Sequence, residues 1–336
     1  SLEYSCLRGI AFRRRQFYHT APRHRVWTRS MKIAGVDFSG AAPDNNTWLA
    51  QGWLNDGIIE LESCTRVSRA EVAAVLEDSP DGTVASLDFP FSVPRDFVES
   101  WISPCRSASS LMPDLWRAAA QMDYTEFLAM RDAFVTGYGE SKRLCDRAFP
   151  ECYSCLHKAN PNMVPMTFRG MQMLDSLWGA GCDVPPLPSQ NEGKAVLLEA
   201  MPGAALRALG LPHKGYKNGV RALELRRRII SELPQRSGVA ISNLGEFEEG
   251  CLLSHDCLDS VVAAVSAALW ATDPGLCWRP EDQVSLVQSV YPSKSNKPSN
   301  TSEPPVFEDV TGLDEAVLEG WLYAPVFIGQ ERRLQI

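Results

Sequence analysis

The sequence predicts an α/β fold: a mixed β-sheet flanked by helices, with a helical insertion. Three observations carry that expectation. Short apolar runs of strand character stop on carboxylates at Asp37, Asp88 and Glu199. Asn55-Asp56-Gly57 joins two β-prone runs, which is a hairpin signal. Between residues 95 and 180 apolar positions recur instead at helical spacing.

In order, Lys32–Asp37 reads as a buried strand, and Thr47–Leu54 and Gly57–Val67 as the two arms of the hairpin. Ser68 caps a short helix over Arg69–Leu76, with Glu71 at capping-box spacing. Thr83–Leu87 is a fourth strand, ending on Asp88 before Phe89-Pro90. Helical stretches follow at Leu115–Val135 and Gly170–Trp178. Ala195–Glu199 returns to strand character, and Gly203–Leu209 is a short helix. Val220–Leu233 is an amphipathic helix whose charged face carries Arg226, Arg227 and Arg228. Cys257–Trp270 is a strongly apolar helix. Residues 293–305 are polar and proline-rich, and are expected to form a flexible loop. Glu319–Pro325 suggests a terminal strand packed by aromatics.

The chain has 336 residues, 45% of them hydrophobic, enough for one large or two modest domains. No apolar run approaches the roughly 18 residues of a membrane-spanning helix, so a soluble protein is expected, and MKIAGVDFSG is a plausible beginning for a cytoplasmic one. Residues 1–30 hold seven arginines against Glu3 and read as a basic leader, disordered or ahead of a natural start at Met31. Residues 31–336 then form the domain. The net charge of −8 argues against a nonspecific nucleic-acid coat, though not against a local basic groove. The 10 cysteines, with no secretory signal peptide, read as free thiols in a reducing compartment. Cys152 and Cys155, followed by His157, invite a zinc reading with Cys145 and Cys182 as further candidates, but no second ligand pair is well spaced.

The acids carry the functional signal. In open α/β sheets, sites gather where strands end. Neighbouring strand ends bring carboxylates together, and these resist ionisation unless a cation compensates. Hard oxygen donors favour Mg²⁺ or Mn²⁺. Asp256 and Asp259 open the apolar helix, three residues apart and so on one face. Capping explains Ser254 or Asp256, but Asp259 begins an inward-looking run and needs a partner. Asp37, followed by Ser39 and Gly40, suits a metal, a phosphate or a turn. Basic candidates for substrate contact are Arg143, Lys214, Lys217 and Arg221. Lys214-Gly-Tyr-Lys217 mixes cations with an aromatic as single-strand binders do. Arg143 equally suits an ion pair with Asp146.

The ordered set GVDFSGA, SLDFPFSVPR, YGESKRLCD, MTFRGMQML, LLEAMPGAAL, HDCLDSVVAAVSAAL and EGWLYAP resembles the domain-of-unknown-function 429 family, predicted nucleases of ribonuclease-H-like fold. The acid pair opening a late helix also resembles RuvC-type resolvases. The likeness runs from about Met31 to Pro325. It implies a ribonuclease-H-like mixed sheet, a nucleic-acid partner and two-metal phosphodiester hydrolysis, with cations about 4 Å apart. Asp37 would bridge both, Asp88 and Asp259 would each bind one, and Asp256 and Glu199 are further candidates. His255 would move a proton or contact a phosphate. Ser39 and the small residues after it would leave room for a phosphate backbone. The rival readings are an ATP-dependent phosphotransferase of the actin-like and sugar-kinase class, with Asp81-Gly82-Thr83 as a second phosphate loop, and a non-catalytic binding protein.

Overall fold

The computed structural model describes residues 30–102, 110–149, 151–158, 160, 162–190, 194–280 and 312–326. The basic leader to residue 29 and the proline-rich 293–305 stretch lie outside them.

Strands β1 (Met31–Asp37), β2 (Thr47–Asn55) and β3 (Ile58–Val67) form an antiparallel meander. The β2–β3 turn places Asp56 at φ 49° and Gly57 at φ 79°. A tight hairpin of this hand needs both central residues at positive φ, which Asp-Gly tolerates. Ser68 then caps α1 (Arg69–Glu77), and the Ser68–Glu71 capping box is closed in both directions. Strand β4 (Val84–Asp88) returns beside β1, parallel to it. Helices α2 (Arg95–Trp101), α3 (Met112–Ala120), α4 (Tyr124–Tyr138), α5 (Leu144–Ala148) and α6 (Met163–Gly179) fill the expected helical insertion.

Strand β5 (Val196–Glu199) joins parallel to β4. Helices α7 (Pro202–Ala208) and α8 (Ala222–Ser237) follow. The sequence reading missed β6 (Ala240–Ile241), a short parallel addition beside β3, and α9 (Leu244–Leu253). Helix α10 (His255–Thr272) and α11 (Gly312–Glu319) complete the element order. The sheet order is β5-β4-β1-β2-β3-β6. This is an α/β fold, a mixed six-stranded sheet flanked by helices, compatible with a ribonuclease-H-like architecture. The expected terminal strand is not a sheet strand. Leu322 and Pro325 make isolated bridges to Glu199 and Cys277, while the Trp321 ring packs against Trp278, centroids 4.2 Å apart and planes tilted by 40°.

Two apolar cores lie on opposite faces of the sheet. Ile33, Ala50, Ile59 and Leu61 meet α10 on one face, and Ala34, Val36, Leu49 and Leu87 meet the insertion helices on the other. Strand side chains alternate between faces. Ile33, Gly35 and Asp37 therefore face α10, as do Val84, Ser86 and Asp88. Helix α10 crosses β1 in backbone contact. A Cβ on Gly35 would lie 2.1 Å from both Ala264 N and Ser260 O. Because α7, α8 and α9 cover its outer side, α10 is buried almost all round and reads as continuously apolar rather than striped.

Candidate functional site

Asp37 and Asp88 are paired across the parallel β1–β4 ladder at the last register position. Neighbouring strands lie about 4.8 Å apart, so two half-buried carboxylates stand side by side on the α10 face. Burial, then the charges of Asp259, Asp88 and Asp256, holds the Asp37 carboxyl well above the ordinary range, with Lys217 opposing. Asp88 is pushed up to about 7, by burial first, while the opposing pull of Lys217 is countered by Asp259, Glu199 and Asp256. Among the described residues neither carboxylate has a hydrogen bond or ion pair of its own.

Helix α10 supplies the facing acids. Ser254 caps it, accepting from the Cys257 N–H, which aims the first turn at the strand ends. Asp259 lies one turn in and is fully buried. Its Oδ1 accepts from the Tyr216 hydroxyl at 2.8 Å, and its Oδ2 meets the Lys217 ammonium at 2.8 Å. These are the partners that the sequence demanded for an acid on an apolar helix. Asp256 is half-buried and contacts His255, Oδ1 to Nδ1, at 2.5 Å. The structure thus brings Asp37, Asp88, Asp256, Asp259, His255 and Lys217 to one end of the sheet. Tyr216 is the member that sequence reasoning missed. It was visible between Lys214 and Lys217, but as a base-stacking ring rather than a hydroxyl donor.

The other candidates lie elsewhere or serve another use. Glu199 pairs in register with Leu87, one position short of Asp88, so its side chain turns to the opposite face. There Arg143 grips it with Nη2 at 2.5 Å and Nη1 at 2.8 Å, and the Phe91 N–H donates at 2.9 Å. Arg143 is buried and also holds Asp146 through Nε and Nη2. Both residues belong to an internal ion-pair network and are not free for substrate. Ser39 closes the turn after β1: its Oγ accepts from Ala41 N–H, and its own N–H donates to Thr47. The smallness of Gly40 serves packing, because a Cβ there would lie 2.2 Å from Met166 N of α6. That space is filled by protein backbone rather than left for a phosphate. Lys214 is exposed, and Arg221 pairs with Glu224 on the surface at 2.8 Å. The cysteines separate as well: Cys145 and Cys152 pack into the α10-side core, and Cys155 and Cys182 into the other.

The donor chemistry at the strand ends fits a hard divalent cation, since mutually repelling carboxylates are offset by one ammonium. In the present arrangement, no group of three or more His, Cys, Asp or Glu side chains among the described residues is gathered closely enough to hold a metal ion. Both oxygens of Asp259 are engaged here, Oδ1 by the Tyr216 hydroxyl and Oδ2 by the Lys217 ammonium.

A family model described as "Protein of unknown function (DUF429)" matches residues 35–284, most of the chain, and the chain belongs to that family. No curated protein and no solved structure matches it. No helix among the described residues is long and apolar enough to cross a membrane.

Proposed function

We propose that this DUF429 protein is a metal-dependent nuclease that hydrolyses phosphodiester bonds at the acidic end of its sheet. One observation carries the reading: Asp37 and Asp88 stand side by side with no hydrogen-bond or ion-pair partner among the described residues, facing Asp259 and Asp256, with Lys217 as the offsetting charge. Asp37, Asp88 and Asp259 would hold Mg²⁺ or Mn²⁺, with Asp256 as a further acid. Bound there, the cation would acidify an attacking water and offset charge on the leaving oxygen. Burial and the neighbouring acids push the Asp88 carboxyl up to about 7 without a cation, so it would give up that proton as the cation binds. His255, whose Nδ1 lies 2.5 Å from Asp256 Oδ1, would carry a proton beside the acids. A nucleic acid as partner and a cytoplasmic setting belong to the same proposal. The second rests on the described cysteines all being free thiols.

The phosphotransferase reading has less support. Its second phosphate loop, Asp81-Gly82-Thr83, precedes β4, while Asp88 ends it. Five residues of strand separate the two by about 16 Å. The test is Mn²⁺-dependent cleavage of single-stranded, duplex, hybrid and branched substrates, with Asp37→Asn as control. Cleavage that persists in the variant would remove Asp37 from the chemistry.

A further inference from the structure

We infer that Lys217 is a built-in counter-cation that occupies the acidic site when no metal is bound, competes with a divalent cation for Asp259, and leaves as the cation enters. The inference rests on the metal-dependent reading above and adds a residue that sets the affinity of that site.

Position comes first. The Lys217 Nζ lies 2.8 Å from Asp259 Oδ2, so it occupies one of the two oxygens a metal would need. Its charge also acts on Asp37 and Asp88, lowering both against the pull of burial. Burial alone would push the ammonium down. The charges of Asp259, Asp88 and Asp37 outweigh it and hold the group above its ordinary value. Lys217 therefore senses the same three carboxylates that a cation would bridge.

Exposure is the second observation. The Asp259 side chain is fully buried, whereas that of Lys217 is 46% exposed. The lysine reaches the acid from the solvent side and can withdraw along the same path. Its backbone need not move with it. Arg226 of α8 donates from Nη1 to the carbonyls of Tyr216 and Lys217, at 3.1 and 3.4 Å. Tyr216 is buried and keeps its hydroxyl on Asp259 Oδ1. The loop is pinned at two points, and the lysine side chain is the part left to swing.

Charge balance is the third. Among the described residues one ammonium faces Asp37, Asp88 and Asp259, which leaves positive charge in deficit and favours a divalent ion over a monovalent one. A divalent cation that takes Asp259 Oδ2 as a ligand needs the oxygen that the Lys217 ammonium now holds at 2.8 Å, so the two compete for one position.

The experiment measures Mn²⁺ affinity by calorimetry at pH 8 for the parent chain and Lys217→Met, without substrate. Removal of the competitor is expected to tighten binding by about tenfold or more. In parallel, acylation of Lys217 in the unaltered chain is followed by mass spectrometry. The amine should be protected in metal-free protein and label faster once Mg²⁺ is added. Equal or weaker Mn²⁺ binding by the variant, beside ordinary binding by the parent, overturns this inference alone. Labelling at one rate with and without Mg²⁺ does the same, independently of how the variant folds. Absence of Mn²⁺ binding by both chains overturns the metal-site reading and this inference with it.

Discussion

Replacement of Gly35 by alanine probes the contact that brings Asp259 to Asp37. The new Cβ would lie 2.1 Å from Ala264 N and from Ser260 O, and 2.8 Å from Ala263 C. Ordinary contact begins at 3.4 Å, so α10 must retreat from β1 by more than about 1 Å. The obstacle is helix backbone, and α7, α8 and α9 press on its outer side, so no flexible side chain can give way. Overpacking of a core costs about 1–3 kcal/mol, and a backbone collision belongs at the upper end, near 3 kcal/mol. In a domain of this size that is a fall of about 6–12 °C in Tm. Urea unfolding measures the loss. Gly245→Ala in α9 is the control, because nothing lies within 4 Å of its Cβ position and its φ is ordinary. Helix propensity predicts that this change is neutral or adds up to about 1 kcal/mol. Ser260 adjoins Asp259, so Gly35→Ala should also weaken Mn²⁺ binding without altering an acid. A loss below about 1 kcal/mol would refute the seating of α10 on β1 at this glycine.

Three further outcomes are expected. Asp88 is held at about 7 in the folded chain, above its unfolded value near 3.9. The stability it confers is full below about pH 4 and is lost as pH rises through 7, a fall on the order of 2–4 kcal/mol in metal-free protein. Mn²⁺ should flatten that slope by replacing the proton, and a flat metal-free profile of urea midpoints between pH 5 and 8 would contradict it. Arg143→Met leaves Glu199 and Asp146 as buried unpaired acids and should cost about 3–5 kcal/mol, whereas Glu199→Gln should change Mn²⁺ affinity only slightly, because Glu199 faces the other core and reaches Asp88 through its charge alone. Calorimetric loss of Mn²⁺ binding in Glu199→Gln would return that acid to the site. Ser68→Ala removes the capping box of α1 and should cost about 1 kcal/mol by urea unfolding, with no change in cation binding.

Local chemistry was the legible part of this molecule. Asp56-Gly57 prescribed the hairpin, and Ser68 with Glu71 prescribed the helix start, because each works through neighbours in the chain. Asp37, Asp88 and Asp259 were readable as strand-end and helix-face acids, and the fold brings them to the same end of the sheet. Glu199 looked identical in sequence. Its difference is a register offset of one residue, and a shift of one turns a side chain to the other face. Register between non-adjacent strands is a tertiary fact with no local signature. The same limit hid Arg143, whose partners Glu199 and Asp146 lie 56 and three residues away. Gly40 was misread for a related reason, since its missing side chain admits α6, more than a hundred residues downstream. The short β6 and the helix α9 carry too little periodic pattern to stand out from a polar, acidic stretch.

The central claim is that the strand-end acids of β1 and β4, with Asp259, form a cation site that cleaves phosphodiesters. Its most direct test is cleavage of single-stranded, duplex, hybrid and branched nucleic acids by the parent chain and by Asp37→Asn, with Mn²⁺ present and with chelator. The account predicts Mn²⁺-dependent cleavage of at least one substrate, abolished by chelator and by the substitution. Equal cleavage by the variant, or none by the parent chain under any of these conditions while it binds Mn²⁺, would contradict it.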